Sequence, residues 1–298
     1  MYHNPVMLIE SINGLSIIPS GTYVDVTFGG GGHSKEILNN LDEYGRLIAF
    51  DQDDDAQSNM LDDDRFTLVN HNFRYLKNFL KLYGAYPADG ILADLGISSH
   101  QIDEAERGFS IRFNGELDLR MNRNQGKSAK DVVNNYTIDE LKVVFKEYGE
   151  LPNAWKIANA IVNYRVSNEI TNTEQLKEAV INCIPPKIEN KMLAMIFQAI
   201  RIEVNEELEA LKEMLLQTID CLKPGGRLVV ISYHSLEDRL VKNFMRSGNF
   251  KGEIEKDFFG NIISPLKVIS RKAIIPNDDE IARNSRSRSA KLRIAEKQ

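Results

Sequence analysis

Along the N-terminal third of the chain, short apolar runs close on a glycine or an acid and give way to helical spacing. Tyr23, Val24 and Val26 suit a buried strand that runs straight into the glycines at positions 29 to 32 and then into a helix. Arg46 to Asp51 (Arg-Leu-Ile-Ala-Phe-Asp) reads as a second strand, Phe66 to Val69 as a third, and Ala88 to Leu95 as a fourth carrying Asp94 at its end. Strands alternating with helices in this way predict an α/β fold with a parallel sheet. From Asp103 to about Asn205 the alternation stops. Residues 138–148, 153–164 and 173–183 space their apolar residues at helical intervals, with Thr137 and Thr173 as caps, which predicts a helical insertion. Positions 190–222 carry one stripe that includes Leu193, Phe197, Ile200, Val204, Leu208 and Leu211. As a single rod this stretch would run about 50 Å, too long for one small core, so a break or a bridge between domains is expected. Lys223-Pro224-Gly225-Gly226 ends it, residues 227–233 form a fifth strand that returns to the sheet, and the tail runs into a last strand near Leu292. Ahead of the first strand, Pro5 after His3-Asn4 predicts an extended arm before a helix. The expected division is residues 1–103, an insertion over 104–204, and residues 205–298.

Composition narrows the class of protein. With 298 residues and 42% apolar content the chain can bury one large core or two ordinary ones. No run reaches the roughly eighteen apolar residues of a membrane span, and no signal peptide opens the sequence. Cys183 and Cys221 have neither paired spacing nor flanking histidines, so neither a disulfide framework nor a metal site is expected. These features point to a reduced, cytoplasmic protein. A net charge of −6 argues against indiscriminate nucleic-acid coating while allowing a local basic patch.

Candidate chemistry gathers at the predicted strand ends. A plain strand-to-helix turn needs one glycine; four in succession, Gly29 to Gly32, suit a loop whose backbone approaches a ligand closely. The dinucleotide pattern Gly-x-Gly-x-x-Gly fits poorly, since Ser34 stands at its third position. Asp25 followed by Gly29 and Gly31 instead looks like the opening of S-adenosylmethionine-dependent methyltransferases. Asp51, about 20 residues on, suits ribose hydroxyls in either class. Carboxylates at 53, 54 and 55 resemble a calcium loop, but Ala56 replaces its glycine and a strand precedes it, so a solvated helix start is expected. Phe73, just past the third strand, covers an adenine ring or fills core. Asp94, Ser98, Ser99 and Gln101 are the first polar groups for a reacting substrate, with a turn-capping role for Asp94 as the alternative. Between Arg107 and Arg123, Gly, Phe, Arg and Asn make either a base-stacking surface or an ordinary packed loop. Arginines 286 and 288 in the tail touch RNA phosphates or lie solvated.

Together these residues resemble, over essentially the whole length, the bacterial ribosomal RNA small-subunit methyltransferase H family. The resemblance is carried by Asp25-Val-Thr-Phe-Gly-Gly-Gly-Gly-His-Ser34, Asp94-Leu-Gly-Ile-Ser-Ser99, Glu106-Arg-Gly-Phe-Ser110 and Leu117-Asp-Leu-Arg-Met121. Phe197-Gln-Ala-Ile-Arg-Ile202 with Asn205, Tyr233-His-Ser-Leu-Glu-Asp-Arg239 and Arg286-Ser-Arg-Ser289 complete it. It implies a Rossmann-like class I S-adenosylmethionine-dependent methyltransferase sheet with an inserted helical domain that recognises substrate. The implied reaction is methylation of N4 of a decoding-centre cytidine in 16S rRNA, within the small ribosomal subunit, with no membrane partner and a homodimer left open. Gly31, Gly32, His33, Asp51, Phe73, Asp94 and Gln101 are implied to line the cofactor pocket, joined here by Asp25 and Gly29. Asp94, Ser98 and Ser99 are the expected catalytic groups, and Phe109, Arg120, Tyr233, His234, Arg286 and Arg288 the expected substrate contacts. His100 and Tyr233 depart from the family's usual proline and phenylalanine. A nicotinamide dehydrogenase and a noncatalytic RNA-binding assembly factor are the rival classes; the third-glycine position disfavours the first, and polar residues at three strand ends disfavour the second.

Overall fold

The computed structural model describes residues 5–298, so His3 and Asn4 of the expected arm lie outside the described residues. The chain divides into two compact units, one built from the segments up to Gly96 and from Leu208 onward, the other from Ile97–Glu207. The sequence expectation had set the inserted segment at 104–204.

The first unit is organised by a sheet of seven strands: β1 (Thr22–Asp25), β2 (Arg46–Phe50), β3 (Phe66–Val69), β4 (Ala88–Asp94), β5 (Leu222–Ser232), β6 (Leu266–Val268) and β7 (Lys291–Lys297). They lie in the order β3-β2-β1-β4-β5-β7-β6, parallel through β5, with β7 antiparallel to both of its neighbours. Side chains alternate across the pleat, so each strand feeds two cores. Val24, Ile48, Phe50, Ile91 and Leu228 face one core, closed by Leu76, Leu80, Leu215 and Phe244. Tyr23, Leu47, Leu92, Val229 and Ile231 face the other, closed by Leu15, Ile37 and Leu38. Burial on both faces is why the central strands read as continuous apolar runs. The chain order reverses direction between β1 and β4, and the crevice beyond their carboxyl ends is where such sheets bind ligands.

The second unit is helical. Helices over Ala129–Asn135, Ile138–Glu147, Ala154–Arg165, Thr173–Val180 and Glu189–Asn205 enclose a core that includes Val132, Phe145, Ile157, Leu176, Ile196 and Ile200. Ser128, Thr137 and Asn172 each form a capping box with the residue three positions on. The cap at the fourth helix is therefore Asn172; Thr173, expected in that role, is buried and donates from Oγ1 to the Phe113 carbonyl at 2.9 Å. The irregular piece between Arg107 and Arg123 is pinned by Asn205, which accepts from Met121 N–H and donates to the Leu119 carbonyl, both at 2.7 Å. The long helical stretch breaks at Glu206, whose φ of 49° is left-handed, before a helix over Glu207–Cys221.

At Gly115 a Cβ would fall 1.7 Å from the Ala105 carbonyl oxygen, a backbone atom that cannot step aside. Gly115→Ala should therefore lower stability by about 1–3 kcal/mol or more, the usual scale of overpacking. Chemical denaturation compared with wild type checks this, and an unchanged midpoint would contradict it.

Candidate active site

Three strand ends meet around the loop that follows β1. Asp25 is buried, accepting from Ser34 Oγ at 2.7 Å and from Thr27 N–H at 3.0 Å. These bonds tie the strand end to the helix over Gly32–Asn39. Only 1% of Asp25 is exposed, and its carboxylate is engaged within the loop, where the expected cofactor contact had placed it at the strand end. Gly31 caps that helix with φ 75°, and a Cβ there would lie 3.0 Å from the Phe28 ring, so a side chain would be strained by the backbone and crowded against the ring. Gly29 N–H donates to Asp51 Oδ2 at 2.7 Å, and Asp53 N–H donates to Asp51 Oδ1 at 2.9 Å. Burial pushes the Asp51 carboxyl up to about 6 against the pull of these two amides, with Asp53 and Asp25 adding repulsion. Phe73 lies half-buried in a short turn after β3, against the core beneath the sheet.

Asp94 ends β4 beside this loop. Its N–H donates to Thr27 Oγ1 at 2.6 Å, which locks the strand end to the loop after β1. Tyr233 Oη donates to Asp94 Oδ1 at 2.7 Å, and His33 Nδ1 stands 3.7 Å from Oδ2. Burial raises the Asp94 carboxyl to about 6; His33 and the Tyr233 hydroxyl oppose the rise, and Asp25 and Glu237 reinforce it. The side chain nevertheless keeps 22% of its surface open. The Tyr233 phenol is held well above its ordinary range, first by burial and then by the neighbouring carboxylate.

Beyond β5, Glu237 organises the corner into the helix over Ser235–Ser247. Its Oε2 accepts from Tyr233 N–H at 2.9 Å, while its own N–H donates to His234 Nδ1. His234 thus caps the helix with a side chain only 9% exposed, a capping role in place of the expected base contact. Tyr233, His234, Ser235, Arg288 and Lys291 line a cavity of about 250 Å³. Arg286 lies in the same short tail helix as Arg288. Farther along, Arg293 and Lys291 pair with Asp238 at 2.7 and 3.2 Å, so part of the tail's positive charge is neutralised internally.

The remaining expected residues lie in the second unit. Ser98 Oγ accepts from Gln101 N–H at 3.2 Å, and Gln101 Oε1 accepts from Ser98 N–H at 3.1 Å. This capping box starts a short helix on which Ser99 is the first residue. Gln101 is 4% exposed, so its amide is engaged locally. Phe109, expected as a stacking surface, is buried in the helical core, which settles that piece as a packed loop. Arg120 forms a two-pronged pair with Asp118 at 2.6 and 3.2 Å, and Asp118 also accepts from Arg123 at 3.3 Å, so one carboxylate is shared by two guanidinium groups. Sequence reasoning missed Thr27 and Glu237. Glu237 carries the glutamate half of a capping box, but its partner is His234, where the sequence signature calls for Ser, Thr, Asp or Asn.

The sequence matches the model of the MraW methylase family across residues 1–298. It is similar to the ribosomal RNA small subunit methyltransferase H of Flavobacterium johnsoniae, with 57% identity over 296 residues, 99% of this chain and 98% of that protein. The proteins of the same name from Phocaeicola vulgatus and Christiangramia forsetii are 56% and 58% identical, each matched over 98% of its own length.

Proposed function

The chain belongs to the MraW methylase family, and from that premise we propose that it methylates N4 of a decoding-centre cytidine of 16S rRNA in the small ribosomal subunit, using S-adenosylmethionine. The observation that carries the reading is Asp94, a carboxylate with 22% of its surface open at the end of β4, beside the reversal point of the sheet. S-adenosylmethionine, when bound, supplies an electrophilic methyl group on a sulfonium. The residues fit such a ligand: the loop leaves open space at Gly30, where a Cβ would meet nothing within 4 Å, and Asp51 has acceptor capacity left for ribose hydroxyls.

Cytosine N4 is a weak nucleophile because its lone pair is conjugated with the ring. An acceptor for its hydrogens turns the amine out of conjugation, and Asp94 is the acceptor the first unit presents. Positioning two substrates in line contributes much of the remaining acceleration. The helical unit recognises the RNA in this reading, and the target base is splayed from its stack. Among the described residues no helix is long and apolar enough to cross a membrane.

Cofactor affinity should depend on Asp51 and on pH with a definite sign. Ribose binding favours the ionised carboxylate, and Asp51 titrates near 6, so affinity holds above that pH and weakens as the pH falls through it, by up to about tenfold per unit. Asp51→Ala should weaken binding by about 1–3 kcal/mol and flatten the pH dependence. Isothermal calorimetry with S-adenosylmethionine, with NAD as the contrasting ligand, tests the reading; tight NAD binding in place of S-adenosylmethionine would overturn it.

A further inference from the structure

Each oxygen of Asp94 meets a different partner. Tyr233 Oη donates to Oδ1 at 2.7 Å, and His33 Nδ1 faces Oδ2 from 3.7 Å. The far side of the imidazole identifies its tautomer. Nε2 lies 3.0 Å from the Val6 carbonyl, which can only accept, so Nε2 carries a hydrogen. In a neutral ring of that tautomer Nδ1 shows a bare lone pair to a carboxylate oxygen. Two acceptors then face each other with no hydrogen between them, beside a histidine that is only 5% exposed. A single proton placed in that gap would turn the repulsive contact into an attractive one.

Resting on the methyltransferase reading above, we propose that Asp94 Oδ2 and His33 Nδ1 form a two-station acceptor for the proton that the methylated amine must lose, with Tyr233 as the positioning residue that fixes the carboxylate through Oδ1. The atoms balance as follows. The N4 lone pair forms the new nitrogen–carbon bond, the sulfur–methyl bond breaks, and its electron pair remains on sulfur, which becomes neutral. The nitrogen then holds one proton too many and a positive charge. That proton passes to Oδ2 and is shared with Nδ1, leaving a neutral N4-methyl amine and an imidazolium facing the carboxylate. Release to solvent through the open side of Asp94 resets the pair.

The surroundings suit this task. The charged and titratable groups facing Asp94 are His33, Tyr233, Asp25 and Glu237, with Glu280 beyond Tyr233. Together with burial they bring the carboxyl to about 6, low enough to be ionised at neutral pH and high enough to hold a proton transiently. Loss of the Tyr233 hydroxyl removes a donor that favours ionisation of Asp94 and shifts its titration upward.

Single-turnover methylation of small ribosomal subunits at saturating S-adenosylmethionine, followed from about pH 5 to about pH 9, tests the proposal. The wild-type rate should rise to a plateau through an acid limb near pH 6. In His33→Gln the plateau should fall about tenfold or more, because the second station for the proton is gone. Tyr233→Phe, which deletes one oxygen atom and keeps the ring, should move the limb to higher pH with a smaller loss of plateau. A His33→Gln enzyme with a wild-type plateau would overturn the two-station acceptor. If that variant fails to fold, an unmoved limb in Tyr233→Phe overturns the proposal by itself. Wild-type protein that yields no N4-methylcytidine would instead sink the underlying reading, so the two failures are distinguishable.

Discussion

Replacing Asp94 by asparagine should lower the single-turnover methylation rate by about 100-fold or more, the scale seen when one preorganised electrostatic partner is lost. The substitution keeps the shape of the side chain. Its amide oxygen can still accept from Tyr233, and its amide nitrogen can donate to the lone pair of His33 Nδ1, so the strand end should stay in place. What disappears is an acceptor toward the incoming amine, because an NH₂ group meets the hydrogens of N4 with hydrogens of its own. That interaction strengthens as the amine leaves conjugation, so its loss falls on rate, and RNA affinity should change far less. Mass spectrometry of small-subunit RNA after single-turnover incubation reads the effect. A variant working at near wild-type rate would show that Asp94 only shapes the loop.

A second large effect is expected from removing the helical unit. Replacing residues 104–204 with a short flexible linker should abolish methylation while S-adenosylmethionine binding stays measurable. The grounds are structural: every strand of the sheet and both of its flanking cores come from outside that segment. The helical core, in turn, contains no residue of the sheet unit. Each unit therefore holds the apolar contacts that stabilise it, as independently folding domains do. Calorimetry on the deletion variant, paired with the methylation assay, separates the two functions. Methylation at the native site by the shortened protein would assign recognition elsewhere.

The parts of this architecture that were legible in the sequence share a physical property: their signal is local. Strands buried on both faces must be largely apolar, so β1, β2 and β4 stood out as runs, and a carboxylate at the end of a run marked Asp51 and Asp94 as crevice residues. The rod-length argument anticipated the break at Glu206 without fixing its position. Elements too short for a period were missed, among them the helix over Ala129–Asn135 and the strand over Leu266–Val268. β5 begins at Leu222, five residues before its apolar run, because Ala88 pairs with Leu222 across a register shift. Roles decided by long-range partners were also invisible. The pairing of Arg120 with Asp118 was not readable, the segment around Phe109 stood open between a stacking surface and a packed loop until helices closed over it, and the Tyr233 hydroxyl gained its meaning from Asp94, 139 positions away.

Small ribosomal subunits lacking the modification, incubated with this protein and S-adenosylmethionine carrying an isotopically labelled methyl group, provide the most direct measurement. Nuclease mapping and mass spectrometry should find the label on N4 of one decoding-centre cytidine of 16S rRNA, appearing only when the protein is present. Label on a ring carbon, on a ribose oxygen or at another nucleotide, or no label on the RNA, would contradict the account.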